Sequence, residues 1–102
     1  MFEHNGIQYR FEFTEGVVEA IETAIGHSIL GSLYNNGGMM PLLDIRTMFT
    51  MGLETASDGK RVNQNTATKV WDDVKAELGY AEILGMLVEA FEHDCPFFFH
   101  MN

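Results

Sequence analysis

Cys95 is the single cysteine of the chain, and it stands close to His93 and His100 with Asp94 beside it. A thiolate, two imidazoles and a carboxylate are ligand types that zinc accepts, so this stretch is the first place to look for chemistry. The spacing is not that of a zinc finger: no second cysteine pair exists, and the segment beyond Pro96 would have to fold back to close a site. A histidine at a helix end, favourable near the negative pole of the dipole, followed by an ordinary thiol, is the simpler reading. A catalytic cysteine needs a base beside it, and nothing in the sequence places one there.

Other constellations fail for stated reasons. Gly26, Gly31, Gly37 and Gly38 are not followed by Gly-Lys-Ser/Thr and lack the strand-to-helix context of a phosphate loop. Asp44, Asp72 and Asp73 are too sparse for a calcium loop, whose ligands alternate around a fixed glycine. Tyr9, Phe11 and Phe13 alternate with Arg10 and faintly resemble an RNA-stacking strand. Six basic residues against fifteen acidic ones, net −9, favour aromatics packed on helices instead. No catalytic residue, metal or cofactor is expected.

What remains is a surplus of apolar side chains. Hydrophobic residues make up 46% of the 102, including eight Phe and seven Met. Met39, Met40, Met48, Met51, Met86 and Met101 are adaptable side chains that suit either core filling or a surface that repacks against partners. Near the end of the chain stand Phe97, Phe98 and Phe99, and consecutive residues cannot all face one core in a helix or a strand. At least one of them is expected to face a partner or another copy.

These residues have to be positioned by elements, and the chain is long enough for one domain with one core. From Ile7 the pattern alternates: Ile7, Tyr9, Phe11 and Phe13 point one way, while Gln8, Arg10 and Glu12 point the other. Asn5-Gly6 is the dipeptide of a tight hairpin turn, so residues 1–13 are read as a β-hairpin. Thr14 caps a helix over 15–25 that Gly26 ends, with Val17 or Val18, Ile21, Ala24 and Ile25 buried and Glu15, Glu19 and Glu22 on a solvated face. Residues 26–40, with four glycines and two asparagines, stay open between a loop, a strand and a turn of helix.

Pro41 reads as the first residue of a helix on which Leu42, Ile45, Phe49 and Leu53 share a face, with Gly52 marking a close helix contact. Residues 54–65 read as a polar loop with an Asp-Gly turn. Thr66 or Asn65 caps the next helix, whose Val70, Trp71, Val74 and Leu78 form a stripe ending at Gly79. A last helix over 80–93 carries Ile83, Leu84, Leu87, Val88 and Phe91, and Pro96 stops it. The fold class is α+β, mostly α: a hairpin and about four helices in one domain over 1–94, with an apolar tail over 95–102. Neither the N-terminal stretch nor any apolar run has the pattern of a signal peptide or the roughly 20 apolar residues of a membrane span. The expected setting is soluble and reducing.

The order of parts resembles a known family. An "NGIQYRFEF" hairpin leads into a "VVEAIETAIG" helix, a Gly-rich "SLYNNGGMMPLLDIRTMFTMGL", a polar loop and "VWDDVKAELGYAEILGMLVEAFEHD". Over roughly residues 5–94 this resembles the tail assembly chaperones of long-tailed (siphovirus) phages and prophages, and more loosely the chaperone-like proteins of gene transfer agents. The matching features are packing patterns without a catalytic signature.

The resemblance implies a small helical, non-enzymatic protein that binds the tape measure protein, a long apolar helical chain. It would keep that chain soluble, help recruit tail tube subunits, and leave before the virion is finished. Self-association, work in the host bacterial cytoplasm, and no nucleic-acid or membrane partner are expected. Many family members are the short product of a pair in which ribosomes slip near the end of the gene. Three Phe codons can encode a T-rich slip site, so this chain is expected to be such a short form. As protein, Phe97, Phe98 and Phe99 would be an apolar hook, with Leu42, Ile45, Phe49 and Leu53 as a second partner-binding stripe. The competing expectation is a structural head–tail joining or minor tail protein that stays in the virion.

Overall fold

The computed structural model describes residues 1–35 and 37–99. Strands β1 (Phe2–His4) and β2 (Ile7–Phe11) pair antiparallel with Phe2 opposite Tyr9 and His4 opposite Ile7. Asn5 (φ 52°) and Gly6 (φ 79°) make the turn between them, and positive φ at both positions is what a two-residue hairpin turn of this hand requires. His4 Nε2 lies 3.0 Å from Asp73 Oδ2 and ties the hairpin to a later helix.

Helix α1 (Glu15–Ile25) starts where Thr14 Oγ1 accepts from the Val17 N–H and stops at Gly26, whose φ of 81° places it in the left-handed region. Val17, Val18 and Ile21 face the core, whereas Ala24, expected there, is exposed. The stretch that the sequence left open contains α2 (Ile29–Asn35). Its first N–H groups find side-chain acceptors: the Glu22 carboxylate takes the Ile29 N–H at 2.8 Å and Ser28 Oγ takes the Gly31 N–H at 2.7 Å. With it the helices number five among the described residues, one more than the periodicity indicates.

Helix α3 (Leu42–Gly52) is the centre of the molecule. Pro41 occupies its N-cap, one position earlier than expected. The helix runs directly into β3 (Leu53–Thr55), which pairs antiparallel with β2 and makes the sheet three-stranded in the order β1-β2-β3. This strand corrects the reading of Leu53 as helical and of residues 54–65 as loop alone. Gly52 is where the change occurs: a Cβ there would come within 2.6 Å of Phe13 Cε1. The close approach foreseen for Gly52 is therefore to the aromatic ring after β2, not to another helix. Beyond β3 the chain turns at Asp58-Gly59 and returns along the strand, with Thr55 N–H donating to Lys60 O and Val62 N–H to Leu53 O. Arg10 and Arg61 both approach the buried Glu54.

Helix α4 (Gln64–Glu77) is capped by Asn63, whose side-chain oxygen accepts from the Thr66 N–H at 2.9 Å, so neither Asn65 nor Thr66 is the cap. Helix α5 (Tyr80–Asp94) ends at Cys95 and is followed by a 3-10 turn, Pro96–Phe98. Ala67, Val70, Trp71 and Val74 of α4 and Ile83, Leu87 and Phe91 of α5 join Ile21, Ile29, Ile45, Met48, Phe49 and Leu53 in one core. Phe49 is its hub, with ring centroids 5.0 Å from Phe11 and 5.4 Å from Trp71. Ile7, in phase with Tyr9 on the pleat, is nonetheless exposed because it sits at the hairpin end beside the turn.

Candidate interaction surface

The residues that could have done chemistry near the C-terminus instead hold the chain together. Cys95 is buried, and its Sγ donates to the Phe13 carbonyl at 3.1 Å. Asp94 Oδ2 accepts from the Phe13 N–H at 2.9 Å, so two successive residues at the end of α5 satisfy both backbone groups of Phe13. Burial pushes the Cys95 thiol up from its ordinary value, and the carboxylates of Asp94 and Glu15 push it further. That is the opposite of an activated nucleophile. His93 lies 3.1 Å from the other oxygen of Asp94. His100, and with it the full ligand set considered from sequence, lies outside the described residues. Among the described residues no group of three or more His, Cys, Asp and Glu could hold a metal ion.

One polar cluster escaped the sequence reading. Asp44 is 1% exposed, and its Oδ2 lies 2.5 Å from Ser32 Oγ and 2.6 Å from His27 Nε2. A serine, a histidine and an aspartate together invite comparison with a nucleophilic triad, but the order is wrong. In a triad the imidazole stands between hydroxyl and carboxylate; here the carboxylate oxygen stands between the other two. The cluster joins α3 to α2 and to the connection before it, and so fixes an otherwise glycine-rich segment. The signal was present: Asp44 precedes Met48 by one helical turn and therefore falls on the buried face of α3.

The surface is where the remaining chemistry lies. Phe97 is 82% exposed, whereas Phe98 and Phe99 are half-buried with ring centroids 5.4 and 5.3 Å from Phe91. The Phe run therefore divides: two rings fold back on α5 and one stands out. Of the proposed binding stripe, only Leu42 is exposed. Ile45, Phe49 and Leu53 are 1%, 0% and 0% exposed, and this corrects their assignment as partner-binding residues. They share a face as the periodicity indicated, but α3 is central and that face is the core.

Among the exposed neighbours, Met39 is one of the methionines that the sequence offers for a partner surface, while Tyr34 and Leu43 carry no such signal. Tyr34, Met39 and Leu43 join Leu42 as exposed large apolar residues around the end of α2 and the start of α3. Tyr80 pins this segment from α5, its hydroxyl accepting from the Met40 N–H at 2.6 Å and lying 2.8 Å from the Met40 carbonyl. Met40 and Met48 fill the core, Met51 and Met86 are half-buried, and Met101 lies outside the described residues. On the aromatic strand, Tyr9 and Phe13 are buried and Phe11 half-buried, so no row of open rings faces solvent beside Arg10. No described helix is long and apolar enough to cross a membrane. No protein-family model, curated protein or solved structure matches this chain.

Proposed function

We propose that this chain is a tail assembly chaperone of a long-tailed phage or prophage: a non-enzymatic protein that binds the tape measure protein, keeps that apolar helical chain soluble, and helps recruit tail tube subunits around it. The resemblance in the order of hairpin, helices and Gly-rich segment carries this reading. It is supported by a surface on which Phe97, Tyr34, Met39, Leu42 and Leu43 remain exposed on a body of net charge −9. Apolar side chains on an acidic surface suit a protein that binds an apolar chain and stays in solution. The protein works in the host cytoplasm, self-associates, and is released before the virion is complete.

Mass spectrometry of finished particles tests the reading against that of a retained head–tail joining or minor tail protein. The chain should be missing from purified virions and present in the lysate of assembling cells. Recovery in stoichiometric amount from virions would contradict the proposal. The short-form reading is checked separately, by sequencing codons 94–102 and expressing the intact locus. A T-rich slip site with a minor longer product supports it, and a single product from the intact locus contradicts it.

A further inference from the structure

Between the entry to α1 and the turn after α5 lies a groove of about 300 Å³. That is at the bottom of the roughly 300–1,000 Å³ range of small-molecule sites, and suits one or two side chains of a protein. Phe13, Val18 and Cys95 form its buried floor, Phe98 is half-buried in its wall, and Phe97 stands exposed at its lip. The other wall is acidic. Glu15, Glu19 and Glu22 follow one another along one face of α1, and Asp94 closes the end.

The state of these carboxylates identifies the occupant. Glu22 accepts from the Ile29 N–H and Asp94 from the Phe13 N–H. Glu15 and Glu19 are exposed, and neither carboxylate has an ion pair or hydrogen bond among the described residues. None of the chain's six Lys and Arg lines the groove. Arg10 and Arg61 are engaged with Glu54, and Lys75 with Asp72. An apolar slot beside two carboxylates that pair with no cation among the described residues is complementary to an apolar ridge flanked by cations. A second copy of this chain fits this groove poorly, because with six Lys and Arg against fifteen Asp and Glu it brings few cations to meet these carboxylates.

We infer that this groove docks a cationic amphipathic segment of a partner protein. Large apolar side chains of the partner lie against Phe97 and Phe98, and Lys or Arg beside them meets Glu15 and Glu19. Identifying that partner with the tape measure protein rests on the function proposed above; the chemistry of the groove does not.

The test is fluorescence anisotropy of the full chain with a labelled synthetic amphipathic helix of Leu, Ala and Lys, against the same helix with Glu for Lys. The Lys helix should bind about tenfold or more tighter, weakening as salt is raised. Phe97→Ser should weaken it by about tenfold, as expected for an anchor residue. Glu15→Gln with Glu19→Gln should weaken it several-fold and flatten the salt dependence, while the charge-matched pair Asp58→Asn with Glu77→Gln leaves it unchanged. All these positions are exposed, and circular dichroism checks that each variant keeps its helical content.

Equal losses from both charge pairs would mean attraction to the acidic body alone and would overturn the inference. So would indifference to Phe97→Ser, or a Phe97→Ser variant that loses only self-association, which would make a second copy the occupant. A phage locus without a tape measure partner would sink the proposed function while leaving the peptide result standing.

Discussion

Cys95 shows how a residue with reactive chemistry is converted to a structural one. Its thiol is directed at the Phe13 carbonyl, and burial followed by the Asp94 and Glu15 carboxylates holds the proton on. In the unfolded chain the thiol loses its proton near pH 8.5, roughly its ordinary value. Because the folded pKa is raised, the native state binds more protons above that pH. The stabilising contribution is full below the unfolded pKa and is lost as pH rises through the folded one. Urea denaturation across the alkaline range should show stability falling more steeply for the native chain than for Cys95→Ala, and alkylation at neutral pH should be slower than for a free cysteine peptide. Phe49 and Phe97 make the complementary contrast. Phe49→Ala should destabilise the fold by about 3–5 kcal/mol, since it empties the centre of the core, whereas Phe97→Ser should stay within about 0.5 kcal/mol in the same denaturation experiment.

At the scale of elements, the junction between α3 and β3 decides the architecture. Gly52 lets the Phe13 ring approach the backbone, and the ring is itself packed against Phe91 at 6.0 Å and Phe11 at 6.4 Å. It has little room to yield, so Gly52→Ala should cost about 1–3 kcal/mol by overpacking, read as a lowered urea midpoint. This junction also marks where the sequence stops being legible. The hairpin, α1, α4 and α5 follow from alternation and helical stripes that act over a few residues, although the cap of α4 is Asn63 and not Asn65 or Thr66. Strand β3 is three residues long and exists because β2 offers it an edge, which no local pattern announces. Helix α2 is equally hidden, since Gly31 within it and the glycines on either side argue against helix, while Glu22, Ser28 and the buried Asp44 anchor it from outside. The surface was legible in part. A run of three Phe has to divide between inside and outside, but which ring stays out depends on how the 3-10 turn meets Phe91. The stripe from Ile45 to Leu53 is apolar by its spacing, yet periodicity cannot tell a core-facing stripe from a partner-facing one.

At the scale of the molecule, the described residues form a small α+β domain in which four helices and a three-stranded sheet pack around a fifth helix, α3, and a few large apolar side chains stay outside. Its acidic charge keeps such a surface dispersed and biases it toward partners that bring cations. These properties together underlie the proposal that this chain holds a long apolar helical protein in solution. The most direct measurement is to express the tape measure protein of the same locus with and without this chain, and to quantify its soluble fraction and co-purification. The tape measure protein should be soluble and recovered with the native chain, and largely insoluble alone or with Phe97→Ser combined with Glu15→Gln and Glu19→Gln. A tape measure protein equally soluble in the absence of this chain, with no co-purification in its presence, would contradict it.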